Sequence, residues 1–319
     1  MSLIGEAPNF LQVYSDGTVK RFAPDIAIAS PESNDNYKSK DVVIDPSKPI
    51  TGRIFLPNTP TINASTHKLP ILLYFHGGGF CIGSTTWLNY HIFLGDLASL
   101  SQAIILSIDY RLAPENRLPI AYADGCTSLE WLIKSAKTEP WLKRADLSRV
   151  FLSGDSAGGN IAHNIVIKAT KRDDHDNDHD LSSVQIKGIL LIHPYFGSEK
   201  RTTQEMLNES NVEVQMNDMF WKLSIPEGSN RDYFGCNYEK IKLNHDEWSS
   251  FPRVVVHVAE LDFLKERGEM YADYLKKNGV KNVKLIEAKN EGHIYNVFHP
   301  KSDSTSLLQR QMAEFINSL

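Results

Sequence analysis

Cysteine is scarce in this chain: Cys81, Cys126 and Cys236 are the only three among 319 residues. An odd, widely spaced set argues against a disulfide framework and a zinc site, and suits a reducing compartment. Basic excess is also missing. Thirty-four Lys and Arg stand against 39 Asp and Glu, a formal net charge of −5, so no cationic face for nucleic acid is expected. No stretch reaches the ~18 apolar residues that a membrane span needs. Met1–Pro8 has neither a basic start nor a long apolar run, so no secretory leader is expected and the cytoplasm follows by default. Neither internal repeats nor a G-x-x-x-x-G-K-[ST] phosphate loop occurs, and no cofactor is expected.

The chain is rich in apolar runs that alternate in period. Strands are expected near 18–22, 41–44, 51–55, 69–75, 103–108, 149–153, 186–192, 253–258 and 283–287. Helices are expected near 88–101, 119–137, 158–171, 264–278 and 303–318. This alternation predicts one α/β domain over 1–319, a mostly parallel sheet with helices on both faces. Asp16-Gly17 is a hairpin signal, so the sheet is expected to start antiparallel.

Between the expected strand 149–153 and the following helical stretch lies Gly154-Asp155-Ser156-Ala157-Gly158. That helix has Ile161, Ile165 and Ala169 on one face. A G-x-S-x-G between strand and helix presents its serine on a sharp turn. The flanking glycines are expected because a Cβ there would collide with neighbouring backbone. Serine needs a base to become a nucleophile, and the base needs an orienting acid. Among the downstream histidines, His193 and His257 lie in buried strands, His245 in a polar stretch and His299 before a proline. His293, in the polar turn Asn290-Glu-Gly-His293, is the expected base. Asp262, in the loop after strand 253–258, is favoured as the orienting carboxylate over Glu260 and Glu266. Directly after strand 69–75 comes His76-Gly-Gly-Gly-Phe80. Its Gly78 and Gly79, with the N–H of Ala157, are expected to receive negative charge on a tetrahedral oxygen.

These motifs, with Asp109-Tyr-Arg-Leu-Ala-Pro-Glu115, Pro119–Asp124 and Glu260-Leu-Asp-Phe-Leu264, are similar to those of plant carboxylesterases. They belong to the hormone-sensitive-lipase branch of the α/β-hydrolases, which also contains the gibberellin receptors. The resemblance spans most of the chain. It implies an α/β-hydrolase fold, a Ser156–Asp262–His293 triad and hydrolysis of a small ester, of short acyl chain, from plant specialised metabolism. Receptors of that branch carry an aliphatic residue at the catalytic histidine position, so His293 favours an enzyme over a hormone-binding module. Some plant members catalyse elimination or cyclisation, which is the alternative. Arg111 is expected to brace the site against Glu115 or Asp124.

Two stretches lack a strong signature: the N-terminal arm and about 198–248. Together they are expected to form a cap over the serine. Aromatic residues there and near the glycine run, namely Phe220, Trp221, Tyr233, Phe234, Trp248, Phe80, Trp87 and Tyr90, are the candidate substrate contacts, with Phe80, Trp87, Tyr90, Phe220, Trp221 and Tyr233 foremost. Cys81 is expected to be a buried, inert thiol. The run Lys171–Asp180 alternates His and Asp, but it reads as a solvated loop rather than a metal site at His175 and His179. No metal is expected.

Overall fold

The computed structural model describes residues 2–32, 35–58, 68–171, 181, 183–207 and 211–318. Strands are β1 (Leu3–Ala7), β2 (Leu11–Tyr14), β3 (Val19–Arg21), β4 (Tyr37–Asp45), β5 (Ile50–Pro57), β6 (Leu69–Phe75), β7 (Ile104–Asp109), β8 (Ala145–Asp155), β9 (Ile186–Ile192), β10 (Arg253–Ala259) and β11 (Val283–Ala288). Helices are α1 (Leu88–Ser101), α2 (Ile120–Ser135), α3 (Ala157–Thr170), α4 (Thr203–Leu207), α5 (Val212–Ser224), α6 (His245–Ser250), α7 (Lys265–Lys277), α8 (Tyr295–Phe298) and α9 (Asp303–Asn317). Eight strands make one sheet in the order β11-β10-β9-β8-β6-β7-β5-β4. It is parallel from β11 to β7, and β5 and β4 join antiparallel.

The centre of the sheet explains its own sequence. Every residue of β6, Leu-Pro-Ile-Leu-Leu-Tyr-Phe, is buried, because helices cover both faces. Ile71, Leu73 and Phe75 join one core with Leu129 of α2, Ile161 of α3 and Leu275 of α7. Leu72 and Tyr74 point the other way, toward Phe93 and Leu97 of α1 and Met312 of α9, as a period of two requires. Pro70 falls where the β6–β8 register shifts, the place in a central strand that tolerates a missing N–H. On α9, Leu308, Met312 and Ile316 repeat every four residues and are fully buried. Withdrawing each from water contributes about 1.5–3 kcal/mol.

Three expectations need correction. The Asp16-Gly17 turn does join antiparallel strands, but β1-β2-β3 form a separate three-stranded sheet. The large sheet becomes antiparallel through β4 and β5 instead. Helix α3 has no single apolar face, since Asn160, His163 and Asn164 are buried beside Ile161 and Ile165, while Ala169 is exposed. Its polar groups find partners: Asn160 Nδ2 donates to the carbonyls of Tyr195 and Gly235, and Tyr271 Oη meets His163 Nδ1 at 2.8 Å. The stretch 198–248 is not uniform. Of its described residues, only those of α5 reach the space above Ser156, whereas Trp248 packs on Phe251 and Tyr274. The His/Asp run His175–His179 lies outside the described residues.

A buried ion pair fixes α4 to α7. Arg267 Nε and Nη2 reach the two Glu205 oxygens at 2.8 and 2.9 Å, and Arg267 also donates to Ser198 Oγ and the Lys200 carbonyl. Removing one partner would leave the other charge buried. Arg267→Met should therefore lower unfolding free energy by about 3–5 kcal/mol, and Arg267→Met with Glu205→Leu should recover most of it. Urea unfolding checks this; a small loss in the single variant would contradict the pairing.

Candidate active site

Ser156 stands between β8 and α3 with φ 50° and ψ −116°, a strained conformation for a side-chain-bearing residue. The turn is pinned from both sides. Ser156 N–H donates to Ile192 O at 2.8 Å, and Ser156 O accepts from Tyr195 N–H at 3.0 Å. Neither Gly154 nor Gly158 has positive φ, so their necessity is one of space. A Cβ on Gly158 would run into the Phe75 carbonyl oxygen, and one on Gly154 into Gly158 and that same oxygen. The glycine run His76–Phe80 leaves the end of β6 beside this turn. Gly78 and Gly79 have φ +103° and +58°. Their N–H groups have no acceptor among the described residues, and both face the cavity with Ser156. Ala157 opens α3, where first-turn N–H groups have no intrahelical partner.

The imidazole and carboxylate arrive by strand pairing. β10 and β11 run parallel in register from Val254–Val283 to Ala259–Ala288. Beyond them the loops hydrogen-bond, with Glu260 N–H to Ala288 O and Leu261 N–H to Glu291 O, both at 2.9 Å. His293 Nδ1 then lies 2.8 Å from Asp262 Oδ2, and His293 Nε2 lies 3.0 Å from Ser156 Oγ. Leu264 N–H donates to Asp262 Oδ1 at 2.8 Å. The two competing acids are engaged elsewhere: Glu260 accepts from Asn290 N–H and Glu266 from Gln204 N–H.

Electrostatics separate His293 from its neighbours. Burial disfavours its charged form, but the Asp262 carboxylate and its hydrogen bond outweigh that, so its pKa lies above 6.5. Asp262 is the converse. Burial would raise its pKa, and His293 holds it below the usual 3.8. His193, whose ring is 5.8 Å from that of His293, is pushed by burial down to about 4. It accepts the Ile294 N–H on Nδ1 at 2.9 Å, which fixes the residue following His293. His257 is pushed to about 3 by burial. His193, Asp262 and His293 are the one group among the described residues with ligand-type atoms within 4.8 Å of one another. The hydrogen bonds above already occupy every such atom except His193 Nε2, which is buried without a partner.

A second buried carboxylate, Asp155, was not singled out from sequence. Tyr74 and Tyr90 hydroxyls donate to it at 2.6 and 2.8 Å, and Tyr90 Oη accepts the Gly77 N–H at 2.9 Å. Tyr110 stacks on His76 at 4.4 Å and donates to its carbonyl. Elbow and glycine run are thus one hydrogen-bonded unit. The signal for Asp155 was its place inside the motif; nothing local marked Tyr74 or Tyr110.

The serine opens into a cavity of about 410 Å³, walled by the N-terminal arm (Ala7, Phe10), the glycine run, α5 (Met216, Phe220), Phe263 and Val297. Of the aromatic candidates, Trp87, Tyr90 and Phe220 line it; Phe80, Trp221 and Tyr233 do not. Phe80 and Trp221 are fully buried in the core, with Trp221 stacked on Tyr195 at 4.3 Å. Tyr233 packs on Phe234 instead. Their apolar character served packing, and Phe10, Met216 and Phe263 took the wall positions. Arg111 pairs with Asp124, while Glu115 pairs with Arg21. Cys81 is buried, its thiol pushed up to about 12 by burial.

A family model for the α/β hydrolase fold matches residues 72–297. The chain is 35% identical to probable carboxylesterase 6 of Arabidopsis thaliana, covering 92% of this chain and 85% of that one. It is also 35% identical to the amyloplastic tuliposide A-converting enzyme b2 of Tulipa gesneriana, covering 96% and 78%. Among solved structures, an esterase of Pyrobaculum calidifontis superposes with a TM-score of 0.72 at 26% identity, covering 88% and 85%.

Histidine-resolved NMR titration should find His293 titrating above pH 6.5 and His193 neutral to below about pH 5. Asp262→Asn should move the His293 midpoint downward. An unmoved midpoint would mean that the carboxylate does not hold this proton.

Proposed function

Because this chain belongs to the α/β-hydrolase family, in its plant carboxylesterase branch, and is a carboxylic ester hydrolase, we propose that it cleaves a small, short-acyl ester through an acyl-enzyme on Ser156. The observation that carries this reading is the continuous chain of contacts from Ser156 Oγ through His293 to Asp262, at 3.0 and 2.8 Å. His293 takes the Ser156 proton as Oγ attacks the ester carbonyl. Asp262 holds the imidazole tautomer and stabilises the imidazolium that forms. The N–H groups of Gly78, Gly79 and Ala157 receive the developing oxyanion. His293 returns the proton to the departing alcohol, then takes one from water as the water oxygen attacks the acyl carbon, and passes it to Ser156 Oγ as the acyl–Oγ bond breaks, which frees the acid and Ser156.

The N-terminal arm and α5 act as the cap in this reading, and Trp87, Tyr90 and Phe220 contact substrate. A second reading, elimination or cyclisation without water, draws support from the tulip relatives, which are named as converting enzymes. Reaction in labelled water separates them: attack of water at the acyl carbon places solvent oxygen in the acid product, and elimination or cyclisation does not. No helix among the described residues is long and apolar enough to cross a membrane. We place the chain in the cytoplasm; the tulip relatives are named as amyloplastic or chloroplastic.

Ser156→Ala should lower kcat for a p-nitrophenyl acetate by on the order of 10⁴–10⁶-fold; retained turnover would reject the acyl-enzyme. The base works neutral, so kcat/KM should rise with pH through the His293 pKa, with its inflection above 6.5. A flat profile between about pH 5 and 8 would exclude His293 as the base.

A further inference from the structure

One short segment holds the surroundings of both Ser156 and His293. At the end of β9, Ile192 O accepts the Ser156 N–H at 2.8 Å, and three residues on Tyr195 N–H donates to Ser156 O at 3.0 Å. Between these anchors stands His193, one residue past the strand, with its own N–H on His257 O at 2.8 Å. Its side chain reaches the other loop, where Nδ1 accepts the Ile294 N–H at 2.9 Å. The frame that sets the nucleophile therefore also grips the backbone next to the base.

The grip falls where the chain is strained. Ile294 has φ 48° and ψ 38°, a left-handed conformation that a β-branched residue rarely adopts. Such strain persists only where the surroundings over-determine it. Downstream, Tyr295, Asn296 and Val297 are buried, and the Tyr295 ring lies 5.4 Å from that of His193. Upstream, Glu291 O accepts from Leu261 N–H, but Gly292, the residue joining it to His293, stands in open space. The closer restraint on His293 therefore comes from the Ile294 side. To accept at Nδ1, His193 must be neutral with its proton on Nε2, and burial keeps the ring neutral. That Nε2 is buried with no hydrogen-bond partner among the described residues. An unpaired buried donor calls for an explanation, and the acceptor on the same ring supplies one.

Resting on the ester-hydrolase reading, we propose that His193 is a positioning residue: by holding the Ile294 N–H it keeps His293 Nε2 within reach of Ser156 Oγ. His193 is 1% exposed and is not among the residues lining the cavity, so it acts through Ile294 and not on substrate. Without its acceptor, Ile294 relaxes toward an ordinary backbone conformation and carries His293 with it. A displacement of about 1 Å at a reacting group can lower a rate by about 10²-fold.

The test measures p-nitrophenyl acetate turnover per site labelled by a fluorophosphonate, so that misfolded chains do not count. His193→Phe keeps a ring and removes the acceptor; kcat should fall by about 10–100-fold with KM changed by less than about threefold. His193→Asn returns an acceptor oxygen to the place of Nδ1 and tolerates the positive φ of 46° at this position. It should bring kcat back to within about fivefold of the parent. Replacing Ile294 by its α-hydroxy acid deletes the donor N–H while keeping every side chain, and should lower kcat as His193→Phe does. A kcat within about twofold of the parent in both His193→Phe and the Ile294 ester would overturn the proposal. So would a loss that His193→Asn does not recover, or a loss confined to KM. Should His193→Phe fail to fold, the Ile294 ester decides: a parent-like kcat overturns the proposal and a fall supports it. A parent chain that neither turns over the acetate nor takes the label would instead remove the hydrolase reading beneath it.

Discussion

Everything at the site depends on how closely the turn carrying Ser156 approaches the end of β6. Gly154 and Gly158 leave no room for a Cβ against the Phe75 carbonyl and each other. That approach brings the glycine run leaving β6 to the side of the serine and sets Gly78 and Gly79 along one wall of the cavity. Gly77 is part of the same constraint, since a Cβ there would strike the Asp155 carboxylate. The strain in the Ser156 backbone is held by fixed partners at Ile192 and Tyr195 and by the packed strands around it.

Two buried aspartates divide the remaining work. Asp155 accepts from the hydroxyls of Tyr74 and Tyr90, and through Tyr90 reaches the Gly77 N–H. Its burial raises its pKa. Asp262 binds an imidazole and a backbone N–H, and stays ionised against the same burial. One carboxylate therefore braces a loop and the other holds a titratable ring. His193 stays neutral beside that ring because burial dominates there, whereas the Asp262 carboxylate raises the proton affinity of His293.

Most of the large sheet and the helices α1, α2, α3, α7 and α9 were legible in the sequence, because buried strands and long runs of helical spacing stand out in the chain. Short elements were not. β1 and β2 are brief strands of a small peripheral sheet, and α4 and α6 span five and six residues, too few for a period to show. Aromatic composition pointed to a pocket near α5 but could not separate Trp221, which stacks on Tyr195 in the core, from Phe220, its neighbour, which faces the cavity. Adjacent helical residues differ by about 100° in direction, and only packing decides which faces inward.

The sequence alone determined which kinds of residue could do chemistry here, and in what order along the chain they occur. Motif glycines, the serine between them, a histidine in a polar turn and an aspartate after an apolar run are local statements, readable without coordinates. Tertiary structure decided which acid meets His293, which arginine pairs with Asp124 or Glu115, and which rings face the cavity. Those outcomes hang on strand register between β10 and β11 and on helix rotation, and both are set by contacts between residues far apart in the chain.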